Sequence, residues 1–170
     1  MKHLTDDKTF LAVLDQHKRI IFKICNSYCR DQESRKDLAQ EITIHLWKSY
    51  RSYNPQFKLS TWLYRVALNV AISFYRRERK HHNSSSVGEK EEQYLADHKD
   101  EPDGTTELLH RFISELDELH RALMILYLDN NSYKDMADVL GITETNVATK
   151  ISRIKQKLKT RFETYNSTSL

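Results

Sequence analysis

Glycine and proline are scarce here, three and two in 170 residues, where average usage would give roughly twelve and eight. That scarcity argues against strand-and-turn architectures and favours helices. No apolar run reaches the ~18 residues that a membrane span needs. The first residues, Met1 to Asp7, lack the apolar core and small-residue cleavage site of a signal peptide. The expectation is a cytoplasmic protein with no membrane insertion. Only two cysteines occur, Cys25 and Cys29, four apart and with no companion set of Cys or His nearby. A metal site wants more ligands than that, so both are read as buried structural thiols, and neither a metal nor a cofactor is expected.

Charge is present but unevenly spread. Between Glu89 and Glu107 eight acids face two lysines, a balance of −6 in a chain whose total is +3, so the rest carries +9. A basic body around an acidic insert reads as two basic domains joined by a linker, and basic domains point to nucleic acid. Residues 83–105 are rich in Ser, Glu and Asp and nearly free of large apolar side chains. They cannot bury enough surface to order themselves and are expected to be a flexible acidic linker. The domains are set at 1–82, 83–105 and 106–165.

Apolar spacing follows the helical period throughout. Phe10, Leu14, Ile21, Ile24 and Tyr28 define a helix over 9–29. A charged break over 30–36 precedes a second helix, from about Ser34 to Tyr50, with Leu38, Ile42 and Leu46 on one face and Ile44 and Trp47 beside it. Pro55 removes a backbone donor and restricts Asn54. Ser60 is expected to cap the next helix, whose stripe is Leu63, Val66, Ala67, Val70 and Phe74, with Trp62 buried and a basic end of Arg76, Arg77, Arg79, Lys80, His81 and His82. Beyond the linker, Leu108, Leu109, Phe112, Ile113 and Leu116 lead into a helix carrying Leu119, Leu123, Leu126, Tyr127 and Leu128. Two more helices follow. Ser132 caps the first, whose Met136, Ala137 and Leu140 face inward, and Gly141 ends it where a left-handed backbone is needed. Thr143 caps the last, with Val147, Ile151, Ile154 and Leu158 inside and a frayed polar tail after Phe162.

The stretch Tyr133 to Val147 has helix-turn-helix spacing. Ala137 is small where two helices cross, Gly141 makes the turn, and Val147 plugs the second helix onto the first. That geometry presents the N-terminal outer face of the second helix to a DNA major groove. Glu144, Thr145, Ala148, Thr149 and Lys150 are expected to be exposed there, with Asn146 and Arg153 at the margins. Six basic residues and no acid lie between Thr145 and Phe162. By itself the motif is compatible with a helical hairpin bearing a solvated basic face.

The segments Asp37-Leu-Ala-Gln-Glu-Ile-Thr-Ile-His-Leu-Trp47 and Ser60-Thr-Trp-Leu-Tyr-Arg-Val-Ala-Leu-Asn69 closely resemble region 2 of the sigma-70 family, in its extracytoplasmic-function (ECF) group. Residues 116–162 resemble region 4 of the same group. The two occur in the expected order with a linker between. The resemblance implies an all-α, two-domain sigma factor that is not an enzyme. Its partners are core RNA polymerase, through the β′ clamp helices and β flap, and promoter DNA, both duplex and melted. An anti-sigma protein is common in the group, but no residue here identifies one.

Residue by residue, Asp37, Gln40 and Glu41 match positions that face the β′ subunit. The loop 53–59 matches the segment that captures a flipped base of the −10 element, and Asn54, Phe57 and Lys58 have suitable chemistry. Phe57 reads equally well as a hydrophobic plug. Arg65, Asn69, Ser73 and Arg76, extended by Arg77 and Lys80, match the face that lines the opened strand, beside Tyr64, Phe74 and Tyr75. Thr145, Asn146, Thr149, Lys150 and Arg153 match the −35 reading face. Relatives often carry a basic residue where Ala148 stands and Arg where Lys150 stands. The linker resembles segments that thread toward the RNA exit path. Two rivals remain at this level. A stand-alone helix-turn-helix regulator explains the C-terminal half but leaves 37–69 without a purpose. A nuclease built on His81 and His82 lacks a compact metal or acid–base constellation.

Overall fold

The computed structural model describes residues 2–84 and 104–168, with the side chains of 2–7 excepted. The expected linker lies almost wholly outside the described residues. Among those described, every element is α-helical, and they form two compact units, one within 1–93 and one within 94–170.

The first unit is a three-helix bundle of α1 (Lys2–Tyr28), α2 (Gln32–Tyr50) and α3 (Leu59–Ser84), each packed on the other two. Its core is Phe10, Ile24, Leu38, Ile42, Leu46, Leu63, Ala67, Val70 and Phe74, with Tyr64 and Leu68 also buried. Cys25 and Cys29 are buried free thiols, and burial pushes both up to about 12. The expected charged break before α2 is much shorter than its composition implies. Asp31 caps α2 by accepting from the Ser34 N–H at 2.8 Å, so the charges that follow are already helical. Ser60 is not a cap. The Lys58 carbonyl accepts the first helical bond, from the Trp62 N–H at 3.2 Å, which places Ser60 inside α3. Trp62 is half-buried rather than buried, because it packs in a file of aromatic rings at the rim of the bundle.

The second unit holds α4 (Gly104–Ser114), α5 (Glu118–Leu128), α6 (Tyr133–Leu140) and α7 (Glu144–Thr168). Asp117 caps α5, accepting from the His120 N–H at 3.0 Å. The α4–α5 turn is closed from within. Arg121, 3% exposed, donates to the carbonyls of Ser114 and Leu116 at 2.6 and 2.9 Å. In α6 the buried place expected for Leu140 goes to Val139, and Leu140 is only half-buried. Leu128, at the end of α5, is exposed. The tail after Phe162 continues α7 to Thr168, where the hydroxyls of Thr164, Ser167 and Thr168 donate to carbonyls one turn back.

Candidate functional site

The α6–α7 corner follows the expected mechanics. Ser132 Oγ accepts from the Asp135 N–H at 3.0 Å. Gly141 has φ +67° and ψ 35°, and its N–H and that of Ile142 both donate to the Ala137 carbonyl, at 2.9 and 3.2 Å. Thr143 Oγ1 then accepts from the Asn146 N–H at 3.1 Å and starts α7. Val147 is fully buried against α6 while Ala137 keeps the crossing close. The outer face of α7 exposes Glu144, Thr145, Asn146, Thr149 and Arg153. Ala148 and Lys150, expected to be open, are half-buried, and Asn146 and Arg153, placed at the margins, are exposed. Further along α7, three of its six cations have partners within the unit. Lys155 donates to the Tyr127 hydroxyl at 3.0 Å, Lys159 lies 4.0 Å from the Glu163 carboxylate, and Arg161 pairs with Glu115 over the Phe112 ring. The basic surface that remains clusters toward the N-terminal half of the helix.

In the first unit, α2 presents two opposite stripes. Leu38, Ile42 and Leu46 are 0% exposed and face the bundle. On the other side Asp37 and Gln40 are exposed, and the same stripe continues through Ile44 and Trp47, 45% and 40% exposed. The sequence set Ile44 and Trp47 beside the buried face, with Trp47 read as core or interface support. At ~100° per residue they instead fall in line with Asp37 and Gln40, and the polar start of the stripe was the signal. Trp47 meets Phe10 edge-on, ring centroids 5.0 Å apart, and together with Leu11, Leu14 and Thr43 they line a shallow apolar groove.

Glu41 and Arg77, assigned to different partners by resemblance, meet each other. Arg77 Nη2 donates to both Glu41 carboxylate oxygens, at 2.9 and 2.7 Å, and the guanidinium lies 5.6 Å from the Phe74 ring centre. The remaining α3 positions, Arg65, Asn69, Ser73, Arg76 and Lys80, form one exposed stripe. The aromatics expected to flank it do not offer faces to a strand: Tyr64 and Phe74 are 4% and 8% exposed, and Tyr75 is half-buried against Tyr28. The α2–α3 loop is a built structure. Asn54 Oδ1 accepts from the Gln56 N–H at 3.0 Å, the Asn54 carbonyl accepts from the Phe57 N–H at 3.1 Å, and the Tyr53 hydroxyl donates to the Phe57 carbonyl at 2.6 Å. Asn54 and Lys58 are exposed, and Phe57 is 58% exposed, so it plugs nothing in its own unit. His81 and His82 are exposed, and among the described residues no cluster of three His, Cys, Asp or Glu is arranged to hold a metal. No described helix is long and apolar enough to cross a membrane.

Comparison with known proteins joins these pieces. The Sigma-70 region 2 family matches residues 13–81, and the Sigma-70, region 4 family matches residues 106–158. The chain belongs to the sigma-70 family, in its ECF group. It is 26% identical over 166 residues to the ECF RNA polymerase sigma factor SigW of Bacillus subtilis strain 168, covering 91% of this chain and 89% of that one. The ECF sigma factor SigM of the same strain is 26% identical over 154 residues, covering 89% and 93%. Among solved structures, CnrH in complex with the cytosolic domain of CnrY aligns with a TM-score of 0.67 at 17% identity over 93% of this chain and 90% of its own. RpoE of Bartonella quintana, solved with the anti-sigma factor NepR, aligns at 0.70 and 18% over 92% and 96%. These last two share the fold. As a family member the protein is an RNA polymerase-binding factor that confers promoter specificity at transcription initiation.

Proposed function

We propose that the protein docks on the β′ clamp helices of core RNA polymerase through the exposed stripe of α2, with Asp37, Gln40 and Glu41 at its polar end. Ile44 and Trp47 form its apolar end. The observation that carries this reading is the stripe itself: two large apolar side chains lie open in line with an acid and an amide, opposite a fully buried face. Large exposed apolar groups beside polar ones are the usual composition of a docking site. Residues 1–82 then bind and open the −10 element. Asn54, Phe57 and Lys58 receive an unstacked base, while Arg65, Asn69, Ser73, Arg76 and Lys80 follow the single strand. Residues 106–165 read the −35 duplex through Thr145, Asn146, Thr149, Lys150 and Arg153 and meet the β flap, and 83–105 tether the two. The factor makes and breaks no covalent bond; binding energy divided between polymerase and DNA biases melting. It works in the cytoplasm, where polymerase works. RpoE's anti-sigma complex supports regulation of this chain by a protein of the same kind.

Co-elution with sigma-free core polymerase tests the docking face. The variant is Asp37→Arg with Gln40→Ala, both exposed, so the fold should survive. Glu41 is left alone because its loss would also strand Arg77. Stoichiometric co-elution of the wild type, lost in the variant, is expected. Co-elution of both would move the docking face elsewhere. A wild type that binds duplex operator but never polymerase would revive the stand-alone regulator.

A further inference from the structure

We propose that Tyr53 is a positioning residue for promoter melting: it holds the α2–α3 loop in the shape that receives the unstacked base. This rests on the loop reading above.

Tyr53 links two things that would otherwise be separate. At one end its ring packs on Trp62, centroids 5.2 Å apart. Trp62 packs on Tyr50 at 6.1 Å, and Tyr50 on Phe10 at 5.2 Å. Phe10 is 2% exposed, so this file of rings is rooted in the core of the bundle. At the other end the Tyr53 hydroxyl donates to the Phe57 carbonyl at 2.6 Å. The Gln56 and Phe57 N–H groups donate to Asn54 within the loop and fold its tip, while the Tyr53 N–H to Tyr50 carbonyl bond at 3.1 Å and the Trp62 N–H to Lys58 carbonyl bond at 3.2 Å anchor the loop's ends to α2 and α3. Tyr53 therefore acts as a strut between a rigid aromatic base and an exposed tip.

The strut acts on geometry. Pinning the Phe57 carbonyl limits rotation about the backbone on either side of it, and so fixes the direction in which the Phe57 ring leaves the chain. That ring is 58% exposed. An aromatic face held out in water is suited to stacking on a base, and stacking is stronger when the ring is held in place beforehand, because less conformational freedom is lost on binding. Tyr53 itself is not the stacking residue. Its ring is half-buried against Trp62, and its hydroxyl proton is engaged by Phe57.

The test uses full-length protein assembled with core polymerase. The probe is a pool of fork-junction DNAs whose single-stranded stretch is randomised. Bound molecules are sequenced, and the affinity of the most enriched fork is measured. The variants are Tyr53→Phe, which keeps the ring and removes the donor, Phe57→Ala, and the two combined. Tyr53→Phe should lower affinity about fivefold, the factor expected from one neutral hydrogen bond. It should flatten base preference at one position, lower thermal stability only slightly, and leave co-elution with polymerase unchanged. In the Phe57→Ala background it should have no further effect on preference.

A wild type with no base preference in the single-stranded stretch would overturn the loop reading itself. Preference that is flattened by Phe57→Ala but untouched by Tyr53→Phe would keep the loop reading and overturn the strut. Equal loss of affinity for every sequence, with preference intact, would make Tyr53 a fold residue only and also overturn it.

Discussion

Gly141 sets the angle between α6 and α7, and its replacement by alanine isolates one physical cost. The residue sits at φ +67°, and a Cβ added there meets nothing within 4 Å. Steric collision therefore contributes nothing, and the cost is the left-handed backbone alone, about 1–2 kcal/mol for a residue with a Cβ. Alanine also restricts the unfolded chain, which offsets roughly 0.5 kcal/mol of that. The net expectation is destabilisation of the second unit by about 1 kcal/mol. With a urea slope near 1 kcal/mol per molar for so small a unit, the midpoint should fall by about 1 M. Asparagine tolerates this backbone region better and should cost less than half as much. Both tryptophans, Trp47 and Trp62, lie in the first unit. Their fluorescence follows that unit in the full-length protein while far-ultraviolet ellipticity follows both. The expected result for Gly141→Ala is an early ellipticity phase with an unmoved tryptophan transition. An alanine variant as stable as wild type, or an asparagine variant worse than alanine, would refute the backbone argument.

Cys25 and Cys29, whose thiols burial holds near 12, should resist a thiolate-directed reagent at neutral pH until the first unit unfolds; fast labelling of native protein would count against their burial. The Ser34 backbone N–H holds the Asp31 carboxyl below its ordinary value. Its contribution is therefore present above the unfolded pKa and lost as pH falls through the folded one. Asp31→Ala should cost about 1 kcal/mol at neutral pH, and Asp31→Asn should flatten the acid limb of the unfolding curve. Arg153→Ala should weaken duplex binding alike for all sequences and reduce the log–log salt slope by about one; a sequence-dependent loss would assign Arg153 to a base edge instead.

Much of this was legible in the sequence because the signals are local. Helical spacing found the seven helices of the described residues, and the chemistry of Ser132, Gly141 and Thr143 fixed the α6–α7 corner to the residue. The cores followed from the same periodicity. The misses come from two sources. Caps compete among neighbours: Asp31 and Lys58 took positions that composition assigned to a break and to Ser60. Exposure depends on what lies across a helix, which periodicity does not contain. Tyr64 looks like part of a stacking platform in a basic, aromatic stretch, yet it is buried; Phe74, read both in the apolar stripe and beside the basic face, takes its place in the stripe. Val139 and Leu140 are both apolar neighbours, and the fold buries Val139 while leaving Leu140 half-buried.

The pairing of Glu41 with Arg77 shows most clearly what no linear pattern carries. Motif position assigned the carboxylate to polymerase and the guanidinium to DNA, 36 residues apart. A step of ~100° per residue puts Arg77 at the edge of the α3 stripe nearest the buried face rather than among Arg65, Arg76 and Lys80. There its charge is met by two carboxylate oxygens and its plane by the Phe74 ring. A pair this exposed, at 54% and 29%, adds no more than about 1 kcal/mol to stability, so its weight lies in which charges each face presents. The exposed stripe of α3 loses a cation that the sequence counted for it. The exposed stripe of α2 keeps Asp37, while Glu41 is partly neutralised by Arg77. The two faces thus share an ion pair, added to the apolar packing that already joins α2 and α3. Two residues counted on separate faces by their motifs are, in the folded unit, part of the joint between them.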